Sequence, residues 1–280
     1  MTTPLRLTTD AGTFDALTAG PADGRGVLLL HGFPEGAVEW EHQLAALGAA
    51  GHHAVAPDQR GYSPGVRPDD VDAYRMDALV ADVVAVAGQL GWDRFDLVGH
   101  DWGAAIGWAV ADRHPELLRT FTAVSVPHPR PFADALAADP DQQSRSAYLA
   151  MFRQPGQAEG MLLADDAALL RRMLGAAVGP AKLATYLDRL TAPGALTAAL
   201  NWYRATRPED VEAGPVDVPT LYVWGSADIG VGPVAAHGTA AWVKGPYEFL
   251  ALDGVSHWVP EEAPDRLSAA LLAHLARHPG

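Results

Sequence analysis

Six short apolar runs recur along the chain: VLLLHG (27–32), HAVAPD (53–58), FDLVGH (95–100), FTAVSV (121–126), LYVWG (221–225) and EFLALD (248–253). Each has the length and continuous apolarity of a strand buried on both faces. Between them, residues 38–50, 73–90, 103–113 and 264–276 carry helical spacing. Strands alternating with helices predict a mostly parallel sheet covered on both sides, an α/β architecture. Upstream, LRLTT and TFDALTAG predict a leading antiparallel hairpin. The rhythm breaks after Val126. From 127 to 214 no buried-strand run occurs, and helical pieces are cut by PHPRP, ADPD, QPG, GP and APG. The β pattern resumes at Val216. This predicts a core made of residues 1–126 and 214–280, with an all-helical insertion at 127–213.

Composition narrows the classes. At 280 residues, 49% hydrophobic and 19% charged, the chain can bury a sizeable core. A net charge of −14 repels nucleic acid and anionic membranes, so neither is an expected partner. Without cysteine there is no disulfide, thiolate metal site or cysteine nucleophile. MTTPLRLTTDAG lacks the apolar segment of a secretory signal. The most apolar helical stretch, 78–90, contains Asp82 and is too short to span a bilayer. The expectation is a cytoplasmic α/β protein.

In an open parallel sheet, functional groups gather beyond the carboxyl ends of the strands. There the sequence places HGFP, GHDWG, GSADIG and DGVSHW, which carry two acids and a histidine in the order Asp101, Asp228, His257. GHDWG has the spacing of a nucleophile elbow, a tight strand-to-helix turn flanked by small residues, with an acid at its apex. A carboxylate there can displace a leaving group at carbon and form an ester, which a base-activated water then hydrolyses. His257 would be that base, oriented by Asp228. The backbone N–H groups of Phe33 and Trp102 would hold the oxyanion. Plainer readings exist: Asp228 could cap a helix, and Asp253 rivals it as the orienting acid or shapes its own turn. Most of the 11 histidines read as structural, His100 as packed beneath the elbow, and His274 and His278 as part of a terminal helix. No H-E-x-x-H or similar spacing occurs, so no metal is expected.

HGFPE (31–35), DQRGYSP (58–64), GHDWG (99–103), WGSADIGV (224–231) and GVSHWVPEEAP (254–264) together resemble the α/β-hydrolases of the epoxide hydrolase and haloalkane dehalogenase branch. The resemblance spans nearly the whole chain and implies an α/β-hydrolase fold with a helical cap. Both families use an Asp nucleophile; the insertion separates them. Epoxide hydrolases carry two cap tyrosines that hold and protonate the epoxide oxygen. SAYLAMFRQPGQAE places Tyr148 four residues before Phe152, with Arg153 where the family usually has Gln and one residue of slack before Pro155. LNWYRAT places Tyr203 in the second motif without departure. Haloalkane dehalogenases often read H-G-N-P, where this chain has Phe33, and fluoroacetate dehalogenases carry Arg where it has Trp102.

The resemblance implies a vicinal diol formed from an epoxide through an Asp101 ester, with catalytic residues Asp101, His257, Asp228, Tyr148 and Tyr203 and binding residues Phe33 and Trp102. It implies no cofactor. Eight tryptophans, among them Trp102, Trp202 and Trp258 near motif positions, point to an apolar or aromatic epoxide, with water as the second substrate. A homodimer is left open. Two alternatives stand beside this reading: hydrolytic dehalogenation with Trp102 as halide donor, and a non-catalytic ligand-binding protein on the same fold.

Overall fold

The computed structural model describes residues 2–175, 177–207, 210 and 213–279; Met1 and Gly280, the ends of the expected core, lie outside the described residues. Among the described residues, eight strands form one sheet in the order β1-β2-β4-β3-β5-β6-β7-β8. β1 (Thr3–Thr9) and β2 (Gly12–Ala19) make the antiparallel hairpin, and β2 pairs antiparallel with β4 (His53–Pro57). From there β3 (Gly26–Leu30), β5 (Phe95–His100), β6 (Leu118–Val124), β7 (Thr220–Gly225) and β8 (Tyr247–Leu252) run parallel. The chain steps outward from β3 to β4, then returns to pair β5 on the other side of β3. The loops after β3 and β5 thus diverge at one point, the place where an open sheet offers a crevice.

Helices cover both faces. α1 (Glu41–Ala49) and the last helix (Pro264–Arg277) pack Leu44, Leu47, Leu267 and Leu271 against Leu29, Val98 and Val223. α2 (Met76–Gln89) and α3 (Trp102–Arg113) pack Val80, Val83, Ile106 and Val110 against Leu28, Leu97 and Phe121 on the opposite face.

Several elements differ from the sequence expectation, α1 among them, which begins at Glu41 instead of 38. β8 was expected to be buried on both faces but is the sheet's edge, with five of its six residues only partly buried or exposed; apolar runs do not reveal which strand lacks an outer neighbour. β6 begins at Leu118 instead of 121, because Thr120 satisfies its hydroxyl inside the sheet by donating to Asp96 Oδ1 at 2.8 Å. α2 begins at Met76 instead of 73: Asp70 caps a short turn over Val71–Tyr74, and Arg75 is extended.

Among the described residues, six α-helices lie between β6 and β7: α4 (Pro129–Ala138), α5 (Pro140–Arg145), α6 (Tyr148–Phe152), α7 (Gln157–Leu174), α8 (Pro180–Thr191) and α9 (Ala195–Ala205). Proline opens α4, α5 and α8, where its missing N–H costs nothing. α7 is broken at residues 164–167, where Asp165, Asp166 and Ala167 take φ of 51°, 56° and 56°. These helices are joined to the sheet by an Arg189–Asp58 ion pair at 2.6 Å, Lys182–Glu261 at 2.9 Å, and indole donors from Trp202 to Arg60 O and from Trp258 to Met173 O. Among the described residues no helix is long and apolar enough to cross a membrane.

Candidate active site

Asp101 sits between β5 and α3 with φ 50° and ψ −117°, a conformation that costs an L-residue of order 1–3 kcal/mol and survives only where its surroundings enforce it. The enforcement is steric. A Cβ at Gly103 would lie 2.0 Å from Leu30 O, one at Gly99 2.2 Å from Gly103 O, and one at Gly32 2.4 Å from the Asp101 Cβ. Strand end, helix start and the loop after β3 therefore close on each other, and the carboxylate is pushed outward.

Phe33 N donates to Asp101 Oδ1 at 2.8 Å, and His257 Nε2 stands 3.4 Å from Oδ2. Trp102 opens α3, where backbone N–H groups have no partner within the helix. On its other side, His257 Nδ1 meets Asp228 Oδ1 at 3.0 Å and Oδ2 at 2.9 Å. Asp228 is fully buried, and its Oδ1 also accepts from Gly230 N at 2.7 Å and Val231 N at 2.9 Å. Asp253 faces elsewhere, accepting from Ser226 Oγ at 3.1 Å near the surface.

The electrostatics follow from these contacts. Burial alone would raise the Asp101 carboxyl, but His257, His100 and the Phe33 N–H hold it below its usual range. Burial alone would lower His257, yet Asp228, with Asp101, lifts it to about 10. At neutral pH, Asp101 is an anion beside an imidazolium.

Tyr148, Tyr203, Asp101, Trp102 and His257 line one cavity of about 220 Å³. Burial raises both tyrosines, and the Asp101 charge raises them further, so both hydroxyls stay protonated and able to donate. Tyr148 keeps 38% of its surface exposed while its hydroxyl end is buried. Arg153 donates from Nε to Tyr203 O at 3.2 Å, tying the helices of the two tyrosines together. The Trp102 indole is engaged with Tyr203. Phe33 contributes its backbone only: its ring packs on Phe152 and Tyr203 at centroid distances of 5.2 and 5.4 Å, outside the cavity wall.

Beneath the elbow lies a cluster that sequence reasoning reached only in part. His100 is fully buried; its Nδ1 faces Glu35 at 3.1 Å and Glu39 at 2.6 Å, and its Nε2 reaches His257 O at 2.9 Å. Burial, then the Glu39 charge, raises Glu35 to about 7. Burial opposes charge on His100, but the two carboxylates lift it far above its ordinary range. Glu35, Glu39 and His100 thus form a compact, fully buried histidine–acid cluster. A second histidine–acid cluster among the described residues, Glu248, His274 and His278, has its carboxylate held by the Arg277 guanidinium.

The alpha/beta hydrolase fold profile matches residues 26–264. The chain belongs to the α/β-hydrolase family. Within it, the chain is 33% identical to "Epoxide hydrolase A" of Mycobacterium tuberculosis, over 92% of each chain. It is 34% identical to "AB hydrolase superfamily protein YfhM" of Bacillus subtilis, over 95% of this chain and 96% of that one. The crystal structure of epoxide hydrolase A from Mycobacterium thermoresistibile superposes with a TM-score of 0.88 at 28% identity, covering 99% of this chain and 98% of that one. An inhibitor complex of the Bacillus megaterium epoxide hydrolase gives 0.89 at 26% identity, covering 97% and 100%. This α/β-hydrolase is thus a member of the epoxide hydrolase branch, and a hydrolase by descent.

Proposed function

We propose that the chain hydrolyses an apolar epoxide to a vicinal diol through an ester on Asp101, with residues 127–213 acting as a cap over the site. One observation carries this reading: two protonated tyrosines share a single cavity with an anionic Asp101, and a buried acid–histidine pair stands behind it.

In the first half-reaction an Asp101 oxygen forms a bond to an epoxide carbon while the carbon–oxygen bond of the ring breaks. Tyr148 and Tyr203 donate to the departing oxygen, which would otherwise leave as a poorly stabilised alkoxide. Esterification removes the Asp101 charge. His257 then loses a neighbour that kept it protonated, and its proton goes, by way of the phenols, to the new hydroxyl. The neutral imidazole, held by Asp228, takes a proton from water as that water attacks the ester carbonyl. The N–H groups of Phe33 and Trp102 stabilise the tetrahedral oxyanion. Collapse returns the Asp101 carboxylate and passes the proton from His257 to the diol. The remaining proton of the attacking water goes back to His257.

An apolar substrate is supported by the cavity wall. Ala105 and Ala109 of α3, Val126, Phe132 and Leu136 line it as far as Asp112. The ten helical rises from Trp102 to Asp112 span roughly 15 Å, so the cavity suits an elongated molecule. The dehalogenase alternative has less support, because Phe33 offers a halide no side-chain donor and its ring lies outside the cavity wall. A panel of epoxides and haloalkanes, scored for diol and for halide, tests the proposal. Diol formation should dominate by orders of magnitude, and halide release at a comparable rate would sink it.

A further inference from the structure

The mechanism leaves His128, Gln142, Ser146 and Asn201 unused among the buried polar side chains of the insertion, and of these Gln142 is hydrogen-bonded to the loop that follows Asp228. Gln142, on α5, is fully buried and points away from its own helix into the loop that carries Asp228. Its Nε2 donates to Gly230 O at 2.8 Å, and its Oε1 accepts from Gly232 N at 2.8 Å. The stretch that these two bonds clamp also holds Asp228: Gly230 N and Val231 N are the donors that fix Asp228 Oδ1. Nε2 also donates to Ser146 Oγ at 2.9 Å, two residues before Tyr148. A neighbour on the same helix, Arg145, donates from Nη1 to Asp228 O. The amide thus uses its acceptor and both donor hydrogens at one junction between the insertion and the sheet.

We infer that Gln142 is a positioning residue: it sets the Asp228 loop against His257, so that a side chain of the helical insertion governs the water-activating half of the reaction. The inference rests on the reading of Asp228 and His257 given above. A bond network that only stabilised the fold would act on both half-reactions alike. A residue acting through Asp228 acts on ester hydrolysis, because that step alone needs a neutral, well-oriented imidazole.

Styrene oxide mixed rapidly with excess enzyme, followed by mass measurement of the Asp101 adduct, separates the two rate constants. Gln142→Met fills a similar volume without hydrogen bonds. In that variant, hydrolysis of the adduct should slow about 10- to 100-fold, the scale of loss when a reacting group is displaced by a fraction of an ångström to an ångström, and at least tenfold more than its formation. His257 is raised by Asp228, so a displaced Asp228 lowers it, and the acid limb of the hydrolysis rate should move to lower pH. Gln142→Glu keeps the acceptor for Gly232 N–H and should lose less; it is also the variant to measure if Gln142→Met does not fold. Equal slowing of both half-reactions, or an acid limb that stays in place in both variants, overturns the inference. A wild-type enzyme that hydrolyses styrene oxide without an Asp101 adduct overturns the reading beneath it, and that result appears before Gln142 is touched.

Discussion

Asp101 and Asp228 flank the same imidazole, yet their surroundings give them opposite capacities. Asp228 is fully buried, with both oxygens against His257 Nδ1 and one of them accepting two backbone N–H groups. Its lone pairs are committed, so it can orient and stabilise but cannot reach a substrate. Asp101 has one oxygen on the Phe33 N–H and the other 3.4 Å from His257, facing the cavity. In the proposed mechanism the loosely held anion at the edge of an apolar space is the nucleophile, and the saturated one in the interior is its support. The difference is environment alone, since the side chains are identical.

The sharpest way to break this comparison is to remove one member at a time. Asp101→Ala should abolish turnover and any covalent adduct. His257→Gln should still be alkylated but not hydrolysed, and so should gain the mass of one substrate on the peptide containing Asp101, as read by mass spectrometry. In single-turnover reactions with excess wild-type enzyme, oxygen-18 water should label Asp101 and leave the first diol largely unlabelled. A labelled first diol would mean that water attacks the epoxide directly.

Asp228→Asn tests the support role. It keeps the shape but replaces the charge and puts a donor near Nδ1, favouring the wrong tautomer. The loss in kcat should approach ~10⁴-fold, as for the orienting acid of a serine triad, while the adduct still forms. Turnover close to wild type would erase the distinction between the two acids.

The tyrosines sharpen the Asp101 side. Tyr148→Phe and Tyr203→Phe should each slow adduct formation about 10²-fold, and the double variant more. Since the Tyr203 side chain is buried against Phe33 and Trp102 while Tyr148 is exposed over much of its surface, Tyr203→Phe should be accompanied by the larger shift in melting temperature.

The smallest expected effect is on stability. His257 is raised from 6.5 to about 10 in the folded chain. A raised group stabilises fully below its unfolded value and loses that contribution as pH climbs through the folded one. The wild-type melting temperature should therefore fall between about pH 6.5 and 10 more steeply than that of His257→Gln; parallel curves would place the raised value in doubt.

The strand ends and the meeting of the candidate residues beyond them were legible because the sheet imposes them. Asp101, Asp228 and His257 each follow an apolar run, and parallel strands bring such positions to one edge whatever the intervening chain does. The residues that escaped notice depend on packing instead. Gln142, within DPDQQSR, reads as one more polar position of a solvated helix, and only the approach of the β7 loop buries it. Glu39 reads as the polar face of a helix start, but the chain folds it inward onto His100. Arg153, a departure from the expected Gln, has its reason in Tyr203 O, a partner 50 residues away in sequence. Period and motif report neighbours along the chain; they carry no information about which buried polar group will face which.

The crowding around Asp101 has a consequence for how such a site changes over time. Gly32, Gly99 and Gly103 admit no side chain, because each missing Cβ would sit within 2.4 Å of another atom. Asp101 itself already bears a Cβ, and the strain of its backbone would be the same for serine or cysteine. The scaffold is therefore rigid about its three glycines and indifferent to the group it lifts. Innovation at this turn is cheap in folding terms and confined to one codon: the reaction can be exchanged while the geometry that presents it is inherited whole.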